Sequence, residues 1–164
     1  MPTLRRAVPA DAAELVRLRS LMHEAMGTDA SDPDYQQACT AAFARRLAGD
    51  PSFVAFVVEG DDGGLLASGV GFVEEHLPSP TSLDGRRGHV ASMSTDPRAR
   101  RQGHARQVLE ALLRWMREEQ GLGRVDLRAT PDGQPLYEQA GFRVLGGATM
   151  SWTAPGVRPG MPQA

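Results

Sequence analysis

Residues 96–112 read DPRARRQGHARQVLEAL. An Asp–Pro pair stops whatever precedes it, and Arg98, Arg100, Arg101 and Arg106 crowd the turn. Gly103 then opens an amphipathic helix. A helix N-terminus presents unpaired backbone N–H groups and the positive end of the helix dipole, so it favours anions. Phosphates reach those amides only where side chains stay clear, and Gly103 and Ala105, alternating with Gln102 and His104, meet that need. Arginine suits the rim because its guanidinium clasps phosphate with two parallel hydrogen bonds. The competing reading is a solvated Arg-rich turn ahead of an ordinary helix. The stretch has neither G-x-G-x-x-G nor G-x-x-x-x-G-K-S/T, so nothing points to a nicotinamide dinucleotide or a nucleoside triphosphate.

Working outward, HVASMSTDP (89–97) reads as a strand ended by Asp–Pro, and the helix continues to about Gln120 on a stripe of Ala105, Val108, Leu109, Leu112, Trp115 and Met116. RVDLRAT (124–130) alternates as the next strand, and a short helix capped by Asp132 follows in PDGQPLYEQAGF. RVLGGATMSWT (143–153) supplies one or two last strands, and 154–164 is a Pro/Gly-rich tail. Upstream, TLRRAV is a short strand, followed by a helix capped by Asp11 and a second helix entered at Asp–Pro. SFVAFVVEG and LLASGVGFVEE (65–75) form a hairpin across DDGG. Gly69 and Gly71 mark a twist, a bulge or the close approach of another backbone. HLPSPTSLDGRRG (76–88) is a loop. A strand, two helices, three strands, then helix, strand, helix and strand give a mixed α/β domain over residues 1–153, one layer of sheet with helices on it.

Composition bounds the partners. The 164 residues include 41% hydrophobic and 23% charged, with a net charge of −2. That is ordinary for a globular domain, and a basic patch on a slightly acidic chain suits a small polyanion better than DNA. The one cysteine, Cys39, excludes an internal disulfide and a Cys-rich zinc site. No apolar run nears the ~18 residues of a membrane span, and the first residues lack the apolar core of a signal peptide. The expectation is a cytoplasmic protein with no membrane partner and no metal, with a homodimer left open.

Arg100-Arg101-Gln102-Gly103-His104-Ala105 resembles the R/Q-x-x-G-x-G/A signature of the GCN5-related N-acetyltransferase (GNAT) family. The closing LYEQAGF is similar to that family too. The resemblance covers about residues 89 to 145, and the earlier half matches in order of elements. It implies a mostly antiparallel twisted sheet of six to seven strands with about four helices. It also implies a V-shaped splay between strands 89–95 and 124–130. Acetyl-CoA would be the acyl donor, its pantetheine arm along Met93, Ser94 and Thr95 and its pyrophosphate on the amides of Arg101 to Arg106, with Arg100 beside them. Tyr137 matches the tyrosine that protonates the departing sulfur. Many relatives carry an asparagine at the position of Thr130; here Thr130 and Asp132 are the substitute polar contacts to the cofactor.

The implied reaction is acetyl transfer to a primary amine of a small molecule by direct attack. The alternatives are a protein or aminoacyl-tRNA amine as acceptor, or an acyl-CoA-binding module without catalysis. An attacking amine must lose a proton, so a base is required. Glu74 and Glu75 at the end of strand 65–75 are the candidates, one on each face, against the plain reading of two solvated carboxylates. His89 lies on the cofactor strand and reads either as facing the acceptor or as a packed side chain. His104, inside the signature, reads as a backbone contributor.

Overall fold

Five strands form one sheet in the order β1 (Thr3–Arg6), β2 (Phe53–Glu59), β3 (Leu65–Glu75), β4 (Arg86–Thr95) and β5 (Val125–Leu127). The structure is a computed structural model and describes residues 1–157. β1 to β4 pair antiparallel in sequence order, and β5 joins β4 in parallel. The last pair needs a crossover, because parallel neighbours cannot be joined by a tight turn. That crossover is α3 (His104–Arg114), continued by a π-helical turn over Trp115–Glu119. Two earlier helices, α1 (Ala12–Ala25) and α2 (Pro33–Gly49), separate β1 from β2, and α4 (Gln134–Gln139) follows β5. The α/β class, the antiparallel bias and the four helices agree with the sequence reading.

The two sheet faces are covered differently. Leu15, Val16 and Leu18 of α1 and Phe43 of α2 pack with Ala55, Val57 and Val70. Val108, Leu109, Leu112 and Met116 are buried on the opposite face. Each fully buried Leu contributes about 1.5–3 kcal/mol relative to an exposed one. Small residues let α3 come close: a Cβ built on Gly69 lies 2.4 Å from Met93 Sδ and 2.7 Å from Val108 Cγ1, and one on Gly88 lies 2.4 Å from Met116 Sδ. What lies close to Gly69 is side chains of β4 and α3, not another backbone.

Two local expectations need correction. Asp11 does not cap α1; it accepts from the Val8 amide at 2.8 Å and from both terminal nitrogens of Arg5, closing a 3-10 turn over Pro9–Asp11. Burial of its carboxyl works against the charge, but the Arg5 hydrogen bond outweighs it and holds Asp11 below the usual carboxylate range. The strand count is five among the described residues, because 143–153 forms no strand. Gly146-Gly147 interrupts it, Gly147 has φ 106°, and Val144, Leu145, Met150 and Trp152 are exposed instead of alternating inward. Of the expected tail, residues 154–157 make a turn, with the Val157 amide donating to Ala154, and 158–164 lie outside the described residues.

The chain divides into two compact units, Met1–Leu127 and the remainder from Arg128. The first contains the sheet with α1 to α3, and the second contains α4.

Candidate active site

β4 carries an irregularity at its centre. Val70 pairs with Ala91 and Ser68 with Ser94, so Gly69 alone faces both Ser92 and Met93. Two residues against one make a β-bulge, and Ser92 takes φ 53°, a left-handed value unusual for a side-chain-bearing residue. On its other edge, β4 pairs with β5 only at Gly88↔Val125, His89↔Asp126 and Val90↔Leu127. Met93, Ser94 and Thr95 lie beyond the end of that ladder. Strand 125–127 is shorter than expected, and its pairing with β4 ends at Val90. The Ser94 side chain is already in use, donating to the Leu18 carbonyl at 2.7 Å and tying α1 to β4.

After Thr95 the chain turns sharply. The Asp96 amide donates to the Leu66 carbonyl, and its carboxylate accepts from the Arg98 amide at 3.1 Å and from Arg17 Nη1 at 2.8 Å. Pro97–Ala99 forms a 3-10 turn, Arg101 takes φ 64°, Gly103 takes φ 83°, and α3 begins at His104 with no side-chain cap. A left-handed arginine costs about 1–3 kcal/mol, and such strain collects at functional sites. The first intrahelical bond of α3 runs from the Gln107 amide to Gly103, so the amides of its opening turn are available to an anion. A Cβ built on Gly103 meets nothing within 4 Å, so that face is open.

The arginines are not equivalent. Arg98 pairs with Asp62 at 2.9 Å and lies 3.5 Å from Asp96, and Arg106 lies 3.8 Å from Glu110. Arg100 and Arg101 are exposed and form no ion pair among the described residues. They are the exposed, unpaired positive charge of the turn among the described residues. The His104 side chain is buried and neither ring nitrogen has a partner among the described residues.

At the other end of β3 and β4, Glu74 stands opposite Arg87 and Glu75 opposite Arg86. Glu74 Oε2 is 3.1 Å from His76 Nε2, and its Oε1 is 3.9 Å from His89 Nδ1. The His89 ring lies 5.0 Å from that of Phe72, which faces it across the ladder. The structure thus gathers Glu74 with both histidines. Glu75 is exposed at the strand end on the opposite face and joins neither.

In the second unit, Tyr137 is buried, and burial pushes its phenol above the ordinary value. Its ring meets Phe142 edge-on at 6.0 Å. Asp132 is exposed and does not cap α4. Thr130 starts that helix, its Oγ1 accepting from the Gly133 amide at 3.2 Å and its carbonyl from Gly133 and Gln134.

A family model described as acetyltransferase (GNAT) family matches residues 15–142. The chain belongs to the GNAT family. It is an N-acetyltransferase by that membership. Its fold is similar to a GCN5-related N-acetyltransferase from Ralstonia eutropha JMP134, 27% identical with TM-score 0.80, covering 93% of this chain and 99% of that one. It is also similar to a predicted acetyltransferase with acetyl-CoA from Clostridium acetobutylicum, 25% identical with TM-score 0.78, covering 94% and 95%. Glucosamine-6-phosphate N-acetyltransferase from Arabidopsis thaliana shares the fold at 17% identity and TM-score 0.75, covering 94% and 99%. No curated protein matches the chain. Among the described residues no cluster of three His, Cys, Asp or Glu is placed to hold a metal, and no helix is long and apolar enough to cross a membrane.

For this GNAT chain, the sequence locates the signature and offers a bulge at Gly69 or Gly71 as one of three readings, and the structure places it at Gly69 opposite Ser92 and Met93. The Arg17–Asp96 contact and the burial of His104 are not announced by the local sequence.

Proposed function

We propose that the protein moves the acetyl group of acetyl-CoA to a primary amine of a small molecule by direct attack in a ternary complex. One observation carries the reading: the β4 bulge, the end of β4 that β5 does not pair, the Asp96 turn and the uncapped entrance of α3 follow one another without interruption. A thioester tethered to phosphates needs both ends held, and one continuous segment serves both. The acetyl-CoA in the Clostridium acetobutylicum protein supports the choice of donor.

In this reading the backbone of Met93, Ser94 and Thr95 pairs with the pantetheine arm. The amides from Arg101 through Gln102, Gly103, His104 and Ala105 to Arg106 take the pyrophosphate, with the Arg100 and Arg101 side chains closing over it. Thr130, whose Oγ1 accepts from the Gly133 amide and keeps its proton to donate, and Asp132 are the polar contacts to the cofactor arm. Glu74 is the favoured base, because His89 and His76 beside it offer a route for the proton. Glu75 is the weaker candidate. The amine nitrogen bonds to the acetyl carbon, the carbon–sulfur bond breaks, and the Tyr137 phenol gives its proton to the thiolate. Cys39 is half-buried on α2 among apolar neighbours, which favours direct attack over an acyl-cysteine.

The family match runs across the boundary at Leu127, which supports treating residues 1–153 as one functional domain. A cytoplasmic location and a homodimer belong to the same proposal.

Incubation with acetyl-CoA and a panel of small amines, followed by free-thiol detection, tests it. Amine-dependent thiol release is expected. Tight acetyl-CoA binding with no turnover on any amine would instead indicate a binding module, and turnover confined to peptide or tRNA amines would move the acceptor class. Gly103→Val should separately raise the acetyl-CoA Kd by about tenfold or more, roughly 1.4 kcal/mol. The new side chain meets open space but must adopt a left-handed φ and stand before the amides. Calorimetric titration reads this, and an unchanged Kd would remove the helix entrance from the site.

A further inference from the structure

Arg17 lies in the first helix, far in sequence from the signature, yet its guanidinium joins three segments. Nε and Nη2 donate to the two Glu14 oxygens at 2.8 and 2.9 Å, Nη2 also donates to the Leu65 carbonyl at 2.9 Å, and Nη1 donates to Asp96 Oδ2 at 2.8 Å. Glu14 Oε2 in turn accepts from the Leu65 amide at 3.1 Å. The hub ties α1 to the start of β3 and to the residue that ends β4. The Glu14 carboxyl is held below its usual range, chiefly by Arg17. Burial pushes the Asp96 carboxyl up, but the Arg98 amide and Arg17 together outweigh it and keep it ionised.

Asp96 divides its work between its two oxygens. Oδ2 meets Arg17, and Oδ1 accepts from the Arg98 amide, fixing the 3-10 turn over Pro97–Ala99. Downstream of that turn stands Arg101, held at φ 64°, then Gly103 and the open α3 amides. A strained left-handed residue persists only while its flanks are fixed. Asp96 is 8% exposed, and a carboxylate that buried keeps its place only while it is paired. The β4 backbone at Ser94 and Thr95 is held separately, by its ladder with Ser68 and Ala67. Loss of Arg17 therefore disturbs the turn more than the strand.

We propose that Arg17 is a positioning residue for the phosphate end of the cofactor site, acting through Asp96 to hold residues 97–103 in the shape that presents the α3 amides. This rests on the reading of that turn as the pyrophosphate site. It extends the site to a helix 79 residues before Asp96 in the sequence.

Two thioesters separate the possibilities: acetyl-CoA, and S-acetylpantetheine, which lacks the pyrophosphate and nucleotide. The wild-type enzyme should prefer acetyl-CoA in kcat/KM. Arg17→Met should lower that preference by about tenfold, with the loss in the KM for acetyl-CoA rather than in kcat. Arg17→Lys, which restores one charge beside Asp96, should recover part of it. Asp96→Asn keeps the acceptor for the Arg98 amide and loses the ion pair, so it reports the same effect if Arg17→Met does not fold. Equal losses for both thioesters with a lowered melting temperature would make Arg17 a purely structural contact and overturn the proposal. So would an unchanged preference in the folded variants. A wild-type enzyme with no preference between the two thioesters would instead overturn the reading of the turn itself.

Discussion

Tyr137→Phe is expected to lower kcat by about a hundredfold while moving the acetyl-CoA KM by no more than about threefold, as befits the loss of a proton donor that acts in the transition state. The phenol is buried and pushed above its ordinary value, so it keeps its proton through neutral pH and beyond about pH 10. A donor held neutral in a partly dry setting is matched to a departing thiolate, which must be protonated as it leaves. The sign of the shift fixes the pH window. A tyrosine with a raised folded value favours the protonated native state below the ordinary value, and that advantage disappears as pH rises through the folded value. The wild-type kcat should therefore show an alkaline limb above about pH 10 that the variant lacks. Phenylalanine keeps the ring and its edge contact with Phe142, so stability should change little. Steady-state kinetics across pH measures both quantities. A fall in kcat of less than about threefold, with the alkaline limb intact, would remove the acid role.

Local features of the chain were legible where local physics decides them. The span 65–75 is a strand from Leu65 to Glu75 as read, because the DDGG turn that sets up the hairpin is a short-range signal. The entrance of α2 at Asp–Pro is present, with Asp32 accepting from the Asp34 amide. The stripe of α3 predicted its buried face, with Val108, Leu109 and Leu112 inside. The signature itself is readable because a glycine entrance and small neighbours are a local requirement. Residues 143–153 misled for the converse reason. Apolar content alone reads as strand, but a strand exists only where a ladder partner accepts it, and Gly146-Gly147 weakens that stretch from within. Asp11 misled in a similar way: the cap residue type was right, but Arg5 across the turn claims its carboxylate. The Arg17–Asp96 contact spans 79 residues, so nothing local announces it. In the candidate site, the phosphate end was therefore visible and its support was not. The Glu74–His89 approach depends on a cross-strand register that alternation alone does not fix.

Gly69→Val should destabilise the fold by about 3 kcal/mol or more, lowering the melting temperature by roughly 6–12 °C. Gly69 is the single residue that faces the two-residue bulge, so it sits where β3, β4 and α3 meet. The first added carbon would lie 2.4 Å from Met93 Sδ, 2.7 Å from Val108 Cγ1 and 3.0 Å from Leu112 Cδ1. Met93 can swing its flexible end away. Val108 cannot, being β-branched, stiff at χ1 and fully buried. Relief must therefore come from lifting α3 off the sheet or from flattening the bulge. Either movement shifts the backbone of Met93 and the start of α3 together, so acetyl-CoA affinity should fall along with stability. Gly69→Ala adds only the first carbon and should show the same two losses at smaller size, about 1–3 kcal/mol. Thermal unfolding followed by circular dichroism, with cofactor titration of whichever variant stays folded, makes the comparison. A Gly69→Val protein melting within about 2 °C of wild type would mean that α3 does not press on the bulge, and the coupling between strand geometry and helix entrance would have to be abandoned.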